Sequence, residues 1–394
     1  IDVKTAKAAL FPSLSFSTSQ QVVNRPYQET SSRVSGSEII SSNSKTSYNG
    51  NYGLNASWTL YNGNKRLKTI QQEKLNNQVA ELDVATSENN IQESIAQVYI
   101  QILYAAESVK VNESTLQVSI AQRDRGQELL NAGSIAKSDF AQLEAQVSTD
   151  RYQLVTAQAT LEDYKLQLKQ LLELDGENEM NIYLPALSDE NVLAPLPTKK
   201  DVYIRALSLR PEIEASKLNV EASELGIGIA KSSYLPTISL SAGIGTNHTS
   251  GSDFTFGEQV KNGWNNSIGL SVSVPIFNNR QTKSAVQKAK LQYETSMLSL
   301  LDEQKTLYKT IEGLWLDANS AQQRYAAANE KLKSTQISYE LISEQFNLGM
   351  KNTIELLTEK NNLLQAQQEQ LQAKYMAILN TQLLKFYQGD QLAL

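Results

Sequence analysis

Two carboxylates in this 394-residue chain hold matching places: Asp139 follows Gly133 by six residues, Glu355 follows Gly349 by six, and Glu359 stands four places beyond. An acid in the first turns of a helix favours the positive end of its dipole. Where several copies converge, the same acids create a negative field that prefers cations and responds to pH. Other chemistry is scarce. The absence of cysteine excludes thiolate metal sites, thiol nucleophiles and disulfides. The single histidine, His248, lies among Asn, Thr, Ser and Gly and reads as a solvated loop residue. No phosphate loop, nucleophile elbow or metal-ligand cluster is present in the sequence. Gly226-Ile227-Gly228 falls in a helical pattern and Gly243-Ile244-Gly245 in a strand, so neither has the context a dinucleotide needs. The expectation is therefore no enzyme, no cofactor and no metal site. With 36 basic against 42 acidic side chains, the formal charge of −6 argues against a nucleic-acid partner.

The elements that must position these acids come in two copies. Sliding the chain by 216 residues places Leu54 on Leu270, Asn62 on Asn278, Asn131 on Asn347, Gly133 on Gly349 and Leu168 on Leu384. Upstream the offset becomes 224, pairing Pro12 with Pro236, so the first copy carries eight extra residues between its strands. Such a period is too long for a solenoid and marks an internally duplicated protomer. All eight prolines avoid 64–131 and 280–347, two 68-residue stretches rich in Ala, Gln, Glu, Lys and Leu. Each predicts one helix roughly 100 Å long at a rise of about 1.5 Å per residue. Glycines at 133 and 349 suit the left-handed residue past a helix end, and return helices follow over about 135–174 and 351–388. A further helix is predicted over 200–233, with Pro211 near its first turns.

Between the helices lie alternating segments. Ile268, Leu270, Val272, Val274 and Ile276 alternate with small polar residues, as do Tyr52, Leu54, Ala56, Trp58 and Leu60. Leu14, Phe16 and Thr18 begin a third strand, and Ile238, Leu240, Ala242 and Ile244 form a fourth. A half-buried soluble sheet and a transmembrane barrel share this pattern. No run of eighteen apolar residues exists, which excludes a membrane helix and leaves a barrel open. The connections 25–47 and 247–263 are long and polar, as external loops are. Four strands cannot close a barrel with a usable lumen, so the barrel reading requires oligomerisation.

Three motifs carry a family resemblance. SLRPEIEASKLNVEASELGIGIA (208–230) running into AKSSYLPTISLSAGIG (230–245) resembles the hallmark of the TolC-type outer-membrane efflux proteins. SWTLYNGNKR (57–66) and SVSVPIFNNR (271–280) resemble that family's passage from strand to long helix, and both Gly turns resemble its hairpin tips. The similarity covers nearly the whole chain. It implies a mainly α protein with transmembrane β: a homotrimer in the outer membrane of a Gram-negative bacterium, each protomer giving two β-hairpins to one lipid-facing barrel continued by a long antiparallel helical barrel in the periplasm. Residues 11–61 and 234–277 would supply barrel strands and loops, 62–174, 200–233 and 278–388 the helical barrel, and 175–199 with 389–394 an equatorial region. By symmetry, a helix and signal sequence are expected before Ile1, where any lipid-anchor cysteine would lie. The implied function is a passive exit duct for efflux or secretion, joined through a periplasmic adaptor to an inner-membrane transporter. Acids at the offset of Asp139 and Glu355 line the family's periplasmic gate. Its second acid falls at Thr358, with Glu359 one place further. Asn131, Gly133 and Ser134, with Asn347, Gly349 and Met350, would contact the adaptor. The alternative, a coiled-coil scaffold or adhesin, accounts for the helices and leaves the four strands unexplained.

Overall fold

The computed structural model describes residues 1–27, 31–35, 38–42, 45–174, 182–183 and 192–392, with backbone alone over 31–35 and 38–42. In chain order the elements are α1 (Asp2–Ala8), β1 (Ser13–Asn24), β2 (Ser31–Ser35), β3 (Glu38–Ser42), β4 (Thr46–Asn62), α2 (Lys65–Asn131), α3 (Lys137–Leu171), α4 (Lys199–Leu209), α5 (Pro211–Ser232), β5 (Thr237–Thr249), α6 (Phe256–Asn262), β6 (Asn265–Ser273), α7 (Gln281–Asn347) and α8 (Thr353–Tyr387). The two proline-free stretches are each one helix of 67 residues. Their return helices are 35 residues each.

The duplication is visible in backbone conformation. The chain leaves β4 for α2 through Gly63 and Asn64, with φ of 66° and 63°, and enters α7 through Asn279 and Arg280, with φ of 51° and 63°. Two successive left-handed residues reverse the chain tightly, which Gly and Asn tolerate best.

β1, β4, β5 and β6 form one antiparallel sheet in that order. Phe16 stands opposite Leu54, Leu54 opposite Ile244, and Leu240 opposite Leu270. The neighbouring row sets Ser15 against Asn55, Asn55 against Gly243, and Gly243 against Ser267. Because side chains alternate across a strand, this register collects the apolar residues on one face and Ser, Asn, Gly and Thr on the other. The polar face is cross-linked: Ser13 Oγ lies 2.8 Å from Ser57 Oγ, and Asn51 Nδ2 donates to Ser19 Oγ at 3.3 Å. The apolar face is bare, with Leu14, Phe16, Ile268 and Leu270 all more than 60% exposed.

Several expectations need correction. The connection 25–47 contains the β2–β3 hairpin, and the connection 247–263 contains α6 while β5 itself runs through Thr249. His248 is not a solvated loop residue: it sits in β5, half-buried between the rings of Tyr48, Tyr52 and Phe256. β6 stops at Ser273, leaving Val274 and Ile276 outside it, because Pro275 has no N–H for the ladder. The helix expected over 200–233 is broken into α4 and α5 at Arg210, whose ψ of 124° is extended. A residue before proline is pushed out of the helical region. Of the expected equatorial region, 175–181, 184–191 and 393–394 lie outside the described residues.

The fold divides into two compact units, Ile1–Glu81 with Ala215–Leu300, and Leu82–Glu214 with Leu301–Leu394. The first contains the sheet. The second has a helical core in which α8 is buried along most of its length, packing Tyr375, Leu379 and Leu383 with Ile100 and Leu103 of α2 and Tyr325 of α7. Arg210 anchors this unit. Its side chain is 7% exposed, donates to Glu93 Oε1 at 2.8 Å, pairs with Glu212 at 3.2 Å and lies 3.8 Å from the Tyr387 ring. Arg and Pro of the RPEI motif thus have separate duties, one tying α5 to α2 and α8 and the other turning the chain between α4 and α5.

Candidate functional site

Each long helix of the second unit ends in the same capped turn. Gly133 N donates to Leu130 O at 3.0 Å and Ser134 N to Leu129 O at 2.8 Å; Gly349 N donates to Phe346 O at 2.9 Å and Met350 N to Gln345 O at 2.8 Å. This pattern is the Schellman motif, and the φ of 72° and 74° at its two glycines is what it demands. Asn131, Gly133, Ser134, Asn347, Gly349 and Met350 are all exposed at these turns. Beneath them Leu143 of α3, Phe346 of α7 and Leu356 of α8 share one buried cluster, so the two hairpin ends pack side by side. Gly126, the glycine of α2, lets α3 approach α2 within the first hairpin: a Cβ there would fall 2.3 Å from Leu143 Cδ1.

Both predicted acids cap the helices they begin. Asp139 Oδ2 accepts from Ala136 N at 3.3 Å. Glu355 is half of a capping box, with Oε2 accepting from Asn352 N at 3.2 Å while Asn352 Oδ1 accepts from Glu355 N at 2.8 Å. Its other oxygen lies 2.5 Å from Lys351 Nζ. Lys351 first, and then the Asn352 N–H, hold the Glu355 carboxyl below its usual range. Glu359 turns to α7 and accepts from Ser338 Oγ at 2.8 Å, while Thr358 donates to Ile354 O within its own helix.

A family model described as outer membrane efflux protein matches residues 2–173 and 202–389. The chain belongs to that family. It is 24% identical over 294 residues to the outer membrane efflux protein BepC of Brucella suis, covering 74% of this chain and 61% of BepC. It is 23% identical over 311 residues to the outer membrane protein TolC of Escherichia coli, covering 77% and 62%. The chain thus spans about three fifths of the length of these curated relatives. Crystal structures of CusC, described with transmembrane channel formation, match its fold with a TM-score of 0.80 at 19% identity over 99% of this chain and 86% of that one. The protein is an outer-membrane protein of the TolC-like kind.

In this efflux-family chain, sequence reasoning missed a buried polar cluster behind the tips. Lys360 of α8, Asp150 of α3 and Ser119 of α2 are 3%, 1% and 2% exposed. Lys360 Nζ pairs with Asp150 Oδ2, Ser119 Oγ reaches the same carboxylate oxygen, and Gln146 Nε2 donates to Asp150 Oδ1 at 2.9 Å. Burial pushes the Lys360 ammonium down, and Asp150 opposes that shift. The signal was present. Thr353, Leu356, Lys360 and Leu363 are buried at successive three- and four-residue steps of α8, and Leu143, Val147 and Asp150 likewise on α3. In each case a charge occupies a core position of the apolar period. The 216-residue offset places Glu144 at the position of Lys360 and Ala366 at that of Asp150, so the duplication does not repeat the pair.

Proposed function

We propose that the chain is one protomer of a homotrimeric, passive outer-membrane exit duct for efflux or secretion. A periplasmic adaptor joins it to an energised inner-membrane transporter, and its periplasmic entrance is governed at the hairpin tips. One observation carries the reading: a sheet with a bare apolar face, a Ser/Asn/Gly face opposite, and β1 and β6 as its edges. An apolar sheet face of this extent is stable against lipid, and a polar one against a water-filled lumen. Four strands cannot close alone, and three protomers would supply twelve. A scaffold or adhesin has no use for such a sheet. The domain limits follow the same division, with 11–61 and 234–277 in the membrane and the helices beyond it.

For the gate, Asp139, Glu355 and Glu359 are the candidates, and Lys351 offsets part of the charge of Glu355. Asp139 lies one turn before Leu143 and Glu355 directly precedes Leu356 in the tip core, where small packing changes would move them together. In planar bilayers the double change Asp139→Asn, Glu355→Gln is expected to weaken block by divalent cations applied from the tip side. Glu340→Gln, on the exposed face of α7, is the control and should leave block unchanged. Unaltered block in assembled double-mutant trimers would reduce both acids to helix caps.

A further inference from the structure

The connection between β5 and β6 folds back onto the sheet. Thr246 Oγ1 donates to Val260 O at 2.7 Å, and Thr249 N donates to Gln259 Oε1 at 2.8 Å, fastening α6 to the last residues of β5. The Phe256 ring meets His248 edge-on at 5.1 Å, Tyr52 stacks on that imidazole at 5.8 Å, and the Tyr52 and Phe256 rings meet each other edge-on at 6.5 Å. Gly50 leaves room for it, since a Cβ there would fall 2.2 Å from His248 Cε1. His248 and Tyr52 belong to the row that continues into Ile244, Leu54 and Leu240, so α6 covers the apolar face and not the polar one. Phe254, Phe256 and Trp264 nevertheless remain 44%, 57% and 57% exposed.

Height along the sheet says what covers them. Ile238 and His248 are ten residues apart on β5. At about 3.3 Å per residue and a barrel tilt of roughly 40° this is about 25 Å, the height of an outer-membrane apolar band. Trp58 and Tyr61, paired with Leu240 and Ile238, mark the edge near the helices. Tyr48, Tyr52, Phe254, Phe256 and Trp264 then fall at the opposite edge. Aromatic rings gather at such edges because one part of each is apolar and another tolerates water.

We propose that residues 254–264 form an interfacial foot, seated on the outer wall of the barrel by the His248 ring stack and resting its aromatic side chains in the outer leaflet at headgroup level. The connection is then a lipid-contact surface and not a loop projecting into the medium. The proposal rests on the barrel reading above, and the test separates the two. The chain has no cysteine, so single nitroxide labels can be placed without background. Phe254→Cys and Trp264→Cys, with Ile268→Cys, opposite Ala242, as a mid-band reference and Asn131→Cys as an aqueous one, are labelled in assembled protein in lipopolysaccharide-containing nanodiscs. Oxygen accessibility relative to a water-soluble nickel chelate should place labels 254 and 264 between the two references. Values at 254 and 264 equal to Asn131→Cys, with Ile268→Cys in lipid, would overturn the foot alone. An aqueous value at Ile268→Cys as well would overturn the barrel reading.

Discussion

Replacing Lys360 by Met removes the ammonium that faces the Asp150 carboxylate and puts a side chain of similar volume in its place. Asp150 is 1% exposed and would retain Ser119 Oγ and Gln146 Nε2 as partners. Breaking a buried pair from one side costs about 3–5 kcal/mol, because the surviving charge stays desolvated. Asp150→Asn should cost less, since burial already lowers the Lys360 pKa and eases loss of its proton. The sign follows from linkage. A lysine whose folded pKa lies below its unfolded one contributes stability that is full above the unfolded pKa and is lost as pH falls through the folded value. Because desolvating both charges opposes their attraction, Lys360→Met with Asp150→Leu should be neutral or about 1–4 kcal/mol more stable than the parent. The assay is guanidinium unfolding followed by the helical circular dichroism signal, at one protein concentration, with midpoints compared at equal slope. A Lys360→Met change within about 1 kcal/mol of the parent, or a double variant no better than the sum of the singles, would refute a desolvated pair.

Three further outcomes follow from the same geometry. Arg replacing Ile268 on the apolar row of β6, opposite Ala242 in the middle of the band, should cost about 2–4 kcal/mol, while Ser267→Arg on the polar row should cost little; heat-modifiable trimer yield on gels compares them, and equal yields would mean the register is wrong. Gly349→Val must hold a β-branched residue at a φ of 74° and should loosen the second tip by about 1–3 kcal/mol, read as faster amide exchange over 345–356 without loss of trimer. Glu355 has a lowered folded pKa, so its capping contribution is present above the ordinary glutamate pKa and disappears as pH falls through the lowered value; pepsin should begin to cut near the start of α8 only at the acid end of that window, and Glu355→Gln should remove the pH dependence.

What the sequence determined here is what short-range physics controls. The absence of proline over 64–131 and 280–347 set both long helices to within a residue or two, because one proline anywhere would have broken them. Gly133 and Gly349 marked the turns, since few other residues accept that φ. Strict alternation from Leu54 and from Ile268 separated the two faces of the sheet before any register was known. The acids six residues beyond each glycine were visible too, while the Asn352–Glu355 box that gives one of them a capping role emerged with the structure. Tertiary structure decided the rest. Lys360 becomes buried only because α8 meets α2 and α3 along that stripe, and His248 becomes part of an aromatic stack only because α6 folds onto β5. Arg210 finds Glu93 and Tyr387 from places 117 and 177 residues away in the chain. Whether a charge or an imidazole meets water or a partner depends on which faces come together, and local periodicity places a residue on a face without naming the face that will cover it.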